Sequence, residues 1–482
     1  MSNIQTFGNY IDGQWATGPT FENRNPANTD EVVGLFAKGS AADVRSAADA
    51  AARAFPAWSA MPAPARGALL FKVADILEQQ IEQLAAEMTR EEGKTPPESR
   101  GEVRRSINIF RYFGGEGARL DGMLVPSERE RVHTFALRKP LGVVGLVTPW
   151  NFPSAIPAWK LAPALICGNT VVLKPASAAP LSAWRIVEAC DKAGIPKGVV
   201  NFVAGSGGEL GEALVNAEPV RAISFTGSNE VGQWIHEQAS KRRLRIQLEM
   251  GGKNPTIVLG DADLASAVEN VANAAFFSTG QKCTATSRAI VEESIYDRFL
   301  AALIERTKRL KVGNGMEAGI EIGPAVDEAQ LKTDLKYIEI GRGEAGAARA
   351  GGERLKGAGY DKGWFVQPTI FADVTPRMKI AQEEIFGPVL SVIRARDFDD
   401  AMRLANDTPL GLCASIQTSN VSRVFDFVYR MEAGLLTVNL PSAGVEYQLP
   451  FGGTKASSFG PKEQGPAALD FYSDYKTVYL RY

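Results

Sequence analysis

The chain has 482 residues, more than one hydrophobic core ordinarily serves, so two or three domains are expected. Hydrophobic residues make up 45% and charged residues 22%, the balance of a globular chain rather than a disordered or membrane-embedded one. Lysine and arginine number 53 against 55 acidic residues, a net charge of −2 that gives no electrostatic case for nucleic acid or an anionic membrane as partner.

The polar stretch 1–18 carries no signal-peptide pattern, and no apolar run reaches the roughly 20 residues of a membrane helix, so a cytoplasmic setting is expected. Residues 8–16 read as a hairpin turning at Asp12-Gly13. Residues 41–55, 64–92 and 97–113 repeat apolar positions at helical spacing, and 129–136 alternate as an exposed strand does. From Gly142 the pattern changes. Short apolar strands at 143–147, 170–173, 199–203 and 222–225 alternate with helices starting near Ser154, Leu181, Glu209 and Glu230. That alternation predicts a parallel sheet covered on both faces, with ligands at the carboxyl ends of its strands. Those ends carry Thr148-Pro149-Trp150-Asn151, Lys174-Pro175-Ala176-Ser177, Gly205-Ser206-Gly207 and Thr226-Gly227-Ser228. Gly205-x-Gly207 lacks the third glycine of a dinucleotide fingerprint, since position 210 is Leu. Thr226-Gly227-Ser228 offers donors at a helix start, as a phosphate loop or as an ordinary helix cap. Glu249 then ends an apolar strand beside Gly251-Gly252, a turn that points a carboxylate into a cleft.

Next comes Phe277-Ser278-Thr279-Gly280-Gln281-Lys282-Cys283, between a small-residue helix and the strand at 289–291. A thiol presented at such a junction is a natural nucleophile for a carbonyl carbon; the alternative is a buried cysteine acting as a small hydrophobe. The four cysteines are far apart and form no CxxC, so neither a disulfide framework nor a metal site is indicated. Only His133 and His236 exist, both in polar surroundings, which leaves a carboxylate as the base for Cys283. A second strand–helix alternation follows, with strands near 289–291, 389–393, 413–417 and 435–439 and helices near 294–309, 328–342, 398–406 and 420–432. The tail 473–482 returns to an alternating strand.

Six ordered motifs carry a resemblance over nearly the whole chain: Pro149-Trp150-Asn151-Phe152-Pro153, Lys174-Pro175, Phe225-Thr226-Gly227-Ser228, Leu248-Glu249-Met250-Gly251-Gly252-Lys253, Gly280-Gln281-Lys282-Cys283 and Glu384-Ile385-Phe386-Gly387-Pro388. Together they resemble the NAD(P)-dependent aldehyde dehydrogenase superfamily. Residues 280–288 and 442–446 are most similar to the bacterial α-ketoglutarate (2,5-dioxovalerate) semialdehyde dehydrogenases. The resemblance implies an α/β fold with a Rossmann-type cofactor domain (1–128 and 141–251), a second α/β catalytic domain (252–450) and a small β oligomerisation domain (129–140 and 460–482) that pairs subunits into a homodimer or homotetramer. It implies Cys283 as nucleophile, Asn151 and the Cys283 N–H as oxyanion donors, and Glu249 as the base that activates water and also deprotonates Cys283. Lys160 and Glu463 match positions with a proton-relay role. Lys174 matches the lysine on the adenine-side ribose, Glu384 the carboxylate on the nicotinamide ribose and Phe386 the ring beneath the nicotinamide. Thr148, Pro149, Trp150, Gly227, Ser228 and Leu248 complete the implied cofactor wall, and Arg105, Phe152, Trp159 and Phe277 the substrate side.

Two departures refine the expectation. Members that prefer NAD carry a glutamate three residues after the lysine; Ser177 stands there, so NADP is admitted and dual use is expected. Members specific for succinate semialdehyde often carry an arginine just before the position of Lys160. Trp159 stands there, which leaves Arg105 to meet a substrate carboxylate or, alternatively, to be a solvated neighbour of Arg104. The rivals are a succinate-semialdehyde or broad-range aldehyde dehydrogenase, a CoA-acylating enzyme, which has no need of Glu249, and a silent homologue, which has no need of Cys283, Asn151 and Glu249 together.

Overall fold

The structure is a computed structural model and describes residues 4–482. Its first sheet has eight strands, in the order Ser458–Phe459, Arg245–Glu249, Val220–Thr226, Val143–Val147, Thr170–Lys174, Val200–Phe202, Asn9–Ile11 and Gln14–Ala16. The five from Arg245–Glu249 to Val200–Phe202 run parallel, and the edges are antiparallel. Period-2 alternation in the Val143–Val147 strand explains the two covered faces. Val144 and Leu146 face the core with helices Pro96–Glu116, Ala155–Ile166 and Leu181–Lys192, while Val143 and Val147 face the core with Ala41–Ala60, Gly207–Asn216 and Asn229–Arg242. Burying one such side chain on folding contributes about 1.5–3 kcal/mol. Strand order reverses beside Val143–Val147: the chain runs from it through Thr170–Lys174 to Val200–Phe202 on one side, then returns to Val220–Thr226 and Arg245–Glu249 on the other. The crevice at that switch point is where ligands bind in open α/β sheets.

A second, all-parallel sheet has the order Thr369–Phe371, Val389–Ala395, Thr286–Glu292, Asn254–Val258, Cys413–Gln417 and Leu435–Val438. A third pairs Ser473–Arg481 along the whole of Val132–Pro140, with Met123–Val125 on the far side. Among the described residues no further strand pairs with Ser473–Arg481, on which Tyr479 and Leu480 are exposed; Leu124 is exposed on the opposite edge. No described helix is long and apolar enough to cross a membrane.

The expected hairpin forms, with Asp12 and Gly13 both at positive φ, the two-residue turn that suits strand twist. The run 64–92 is two helices, Ala63–Gln79 and Ile81–Glu92, broken at Gln80 (φ −112°). A long hairpin, Thr20–Asn25 with Asn28–Ala37, lies in a stretch where no element is expected from periodicity. Residues 460–472 end in a helix, Ala467–Tyr472, whose Ala468, Leu469, Phe471 and Tyr472 are buried in the first core; only from Ser473 does the tail join the third sheet.

Candidate active site

A strand from each of the two large sheets leads toward Cys283. The Arg245–Glu249 strand delivers Glu249 from the first sheet; the turn 250–253 then crosses into the Asn254–Val258 strand of the second. Asn254 fixes the nucleophile's backbone: its Nδ2 donates to the Cys283 carbonyl at 2.7 Å and to the Ala285 carbonyl at 2.9 Å, and its Oδ1 accepts the Cys413 N–H at 3.0 Å. Upstream of Cys283, Ser278 and Thr279 hold φ of 53° and 57°, a left-handed conformation that is costly for a β-branched residue. Glu98 secures that turn by accepting from the Ser278 N–H at 2.8 Å and its hydroxyl at 3.0 Å.

Cys283 is half-buried in a cavity of about 230 Å³ that it shares with Pro149, Trp150, Asn151, Gly227 and Glu384. Met250, Gly251, Gln330, Phe386, Thr226 and Ser228 complete the lining. A larger groove, about 480 Å³ beside Thr307 and Gln367, has no thiol, carboxylate or imidazole in its wall, so the chemistry selects the smaller cavity. Burial, then the nearby carboxylates of Glu384 and Glu249, pushes the Cys283 thiol up to about 12. A base is therefore required to make the thiolate.

Glu249 is 2% exposed, and burial, with Glu463 adding to it, holds its carboxyl well above the ordinary carboxylate range. The Ser458 hydroxyl donates to it at 2.5 Å. Gly452, at φ 148°, is required here because a Cβ would sit 2.6 Å from the Glu249 carboxylate. Behind Glu249, fully buried Lys160 pairs with Glu463 and donates to the Ser224 hydroxyl at 2.7 Å, which in turn donates to Gln247 at 2.8 Å.

The loop 148–154 is held from below. Thr148 N–H bonds the Lys174 carbonyl at 3.1 Å, Lys94 donates to the Asn151 carbonyl, and Glu102 accepts the Ser154 and Ala155 N–H groups at 2.9 and 3.0 Å. Lys94 also stands 4.2 Å over the Phe152 ring. Trp150 meets Phe386 edge-on at 5.4 Å, and Phe386 sits at φ 61°. The loop that carries Phe386 is pinned by Gln330, which donates to the Ile385 carbonyl at 3.1 Å and to buried Asp334 at 2.8 Å. Glu384 accepts the Gly252 N–H at 2.9 Å, burial lifts its carboxyl to about 7, and a Cβ on Gly251 would lie 1.9 Å from it.

Lys174 ends its strand buried, and burial pushes its ammonium down to about 8. The Ser177 hydroxyl donates to the Gly205 carbonyl at 2.6 Å. Both lie outside the lining of the cavity around Cys283, one strand further along the sheet. The Leu248 side chain lies in the core with Phe225 and Ile235, while Met250 and Gly251 form the cavity wall. Phe277 packs against the second domain's core. Arg105 is half-buried, 5.7 Å from the Trp159 ring, whereas Arg104 pairs with Glu78 at the surface. Sequence reasoning passed over Lys94, Glu98, Glu102, Asn254, Gln330 and Ser458. Of these Glu98 had a signal: Thr95-Pro96-Pro97-Glu98 is a capping box, and both of its hydrogen bonds form.

A cleft at a strand-order switch, with a thiol, a buried carboxylate and an amide on its wall, suits nucleotide-dependent carbonyl chemistry. Residues 14–478 match the sequence profile described as the aldehyde dehydrogenase family. The chain belongs to the aldehyde dehydrogenase family. It is 47% identical to an alpha-ketoglutaric semialdehyde dehydrogenase of Bacillus subtilis over 100% of this chain and 99% of that one. It is 45% identical to a 2,5-dioxopentanoate dehydrogenase of Saccharolobus solfataricus over 96% of each. Betaine aldehyde dehydrogenase of Staphylococcus aureus, solved in complex with NAD+, superposes with a TM-score of 0.95 at 34% identity, over 98% of this chain and 94% of that one. The chain is thus an aldehyde dehydrogenase-type oxidoreductase of α/β fold.

The residues present fit a nicotinamide cofactor. The Thr148 and Thr226 hydroxyls are buried at the crevice without a partner among the described residues, Glu384 lines the cavity, and Lys174 ends the neighbouring strand.

Proposed function

We propose that this aldehyde dehydrogenase oxidises α-ketoglutarate semialdehyde (2,5-dioxopentanoate) to α-ketoglutarate and accepts both NAD+ and NADP+. The observation that carries the substrate reading is Arg105. Burial holds its guanidinium below its ordinary pKa; the carboxylates of Glu102 and Glu446 act in the opposite sense, yet among the described residues no carboxylate pairs with it directly, and it donates to Gln464 instead. A largely desolvated cation without a direct ion pair is one that a substrate carboxylate stabilises. Trp159 occupies the place of the arginine that succinate-semialdehyde enzymes often carry.

Glu249 takes the Cys283 proton, and the sulfur adds to the aldehyde carbon to give a thiohemiacetal. Asn151 Nδ2 and the Cys283 N–H receive the developing oxyanion. Bound NAD(P)+, held by Lys174, Glu384 and the Trp150–Phe386 walls, supplies the hydride acceptor. Glu249 then deprotonates water against the thioester, and the carboxylic acid leaves as the thiol is restored. Lys160 and Glu463 pass the proton from Glu249 onward. Ser177, which lacks the charge that repels a 2′-phosphate, leaves both cofactors admissible. The outer edge of Ser473–Arg481, which carries exposed Tyr479 and Leu480, is the surface on which subunits pair into a dimer or tetramer.

The test is kcat/KM for α-ketoglutarate semialdehyde, succinate semialdehyde and a neutral aldehyde of similar length, with each cofactor, in wild type and Arg105→Ala. The first substrate is expected to lead. Arg105→Ala is expected to cost the acidic substrates about 1.5–3 kcal/mol, the scale of a charge-assisted hydrogen bond. An equal loss on the neutral aldehyde contradicts the assignment.

A further inference from the structure

Three hydrogen-bond donors beside Arg105 are buried and unmatched: Arg105 Nε, Trp159 Nε1 and Gln464 Nε2. Trp159 is 4% exposed and Gln464 fully buried, and no described protein group accepts from these three donors. They belong to one cluster, because Arg105 Nη2 donates to Gln464 Oε1 at 3.3 Å and the guanidinium carbon lies 5.7 Å from the Trp159 ring. That contact fixes which end of the Gln464 amide is which. The opposite flip sets N–H against N–H, so the acceptor end faces Arg105 and the donor end is left over. The backbone also commits Gln464 to this place. It sits at φ 59° between Glu463, which pairs with Lys160, and Gly465, whose N–H bonds the Tyr447 carbonyl at 3.0 Å. A non-glycine residue in the left-handed region is strained, and such strain concentrates where a ligand is clamped.

Leaving one buried donor unpaired is costly, and the fold leaves three in one cluster. A ligand that pairs with these donors is rich in acceptors and poor in donors. A 2-oxo acid end has that chemistry: two carboxylate oxygens and an adjacent ketone oxygen, all acceptors, and a negative charge to match the guanidinium. A simple carboxylic acid offers two of the three oxygens; an alcohol or amine end sets donors against donors.

We propose that Gln464 and Trp159 act with Arg105 as a recognition site for the 2-oxo acid end of the substrate, selecting it against the same carbon chain without the ketone. This rests on the aldehyde-oxidising reading above and adds the residues that read the second functional group.

The discriminating pair is α-ketoglutarate semialdehyde and glutarate semialdehyde, equal in length and differing only at the ketone. Wild-type enzyme is expected to favour the former in kcat/KM by about tenfold or more, the usual return on a buried hydrogen bond to a substrate oxygen. Trp159→Phe, which keeps the ring and removes the N–H, and Gln464→Met, which keeps the length and removes the amide, are each expected to erode that ratio several-fold. Their thermal melts show whether they fold. A second measurement needs no turnover: calorimetric affinity of the wild type and of the folded variants for α-ketoglutarate and for glutarate. Tighter binding of α-ketoglutarate by wild type, lost in either variant, supports the site. Equal affinity for the two diacids, or an unchanged semialdehyde ratio in both variants, overturns it. If wild type oxidises neither semialdehyde, the functional reading fails, and the diacid affinities still decide the recognition site.

Discussion

Lys94 holds the loop 148–154 from inside the protein: its buried ammonium donates to the main-chain carbonyl of Asn151. The same ammonium pairs with Glu102 at 2.7 Å, and Glu102 accepts the N–H groups of Ser154 and Ala155. Asn151 thereby gains a fixed backbone without a contact to its own amide. Burial of Lys94 disfavours its charge, and Glu102 and Glu92 more than restore it, raising its pKa.

Lys94→Met leaves Glu102 charged, buried and unpaired, which is expected to cost about 3–5 kcal/mol of folding free energy. Lys94→Met with Glu102→Gln is expected to recover part of it. Urea unfolding of the two variants and wild type measures both. A Lys94→Met variant as stable as wild type contradicts this placement of the pair.

The folded Glu249 carboxyl is raised, so at a pH where an ordinary glutamate is ionised it still holds a proton and is no base. Thioester hydrolysis is therefore expected to rise with pH through a limb well above the ordinary value of about 4.3. Ser458 donates to the charged form, so Ser458→Ala is expected to move the limb further up; Glu463 raises Glu249, so Glu463→Gln is expected to move it down. Single-turnover deacylation against pH tests all three signs. A limb at the ordinary value, unmoved by either substitution, counts against Glu249 as the base.

Ser177 gives its hydrogen to the Gly205 carbonyl. On the proposed placement of the cofactor it would tolerate a 2′-phosphate rather than attract one, and dual cofactor use is expected. Ser177→Glu is expected to shift kcat/KM against NADP+ by about 1–3 kcal/mol relative to NAD+, the effect of one repulsive charge. An unchanged ratio means that position 177 does not face the 2′-position.

What the sequence made legible was local. The runs 143–147 and 171–173 carry no polar side chain, because both faces of each strand are covered, and they announce themselves. Glu249 stood out because a carboxylate ends a strand beside Gly251-Gly252. The hairpin of Thr20–Asn25 with Asn28–Ala37 did not, since Glu22, Asn23, Arg24 and Asn25 dilute its alternation. The break at Gln80 carries no glycine or proline to mark it. Charges with a buried destiny were the hardest to see. Nothing local distinguishes Lys94 from a solvated lysine, and Arg105 meets Gln464 across 359 residues of chain, a contact only the fold creates.

The measurement that bears most directly on the central claim is mass spectrometry of the Glu249→Gln variant, incubated with α-ketoglutarate semialdehyde with and without NAD(P)+. With cofactor present, an acyl adduct is expected to build up on the peptide carrying Cys283. It forms more slowly than in wild type, because the variant lacks the base for the thiol, and it persists because nothing activates water. NAD(P)H then forms in a single-turnover yield followed by slow turnover. The adduct is expected to be absent without cofactor and absent from Cys283→Ala, which should still bind cofactor. Normal steady-state oxidation by Cys283→Ala, or an acyl group on any other residue, would contradict a mechanism that runs through this thiol.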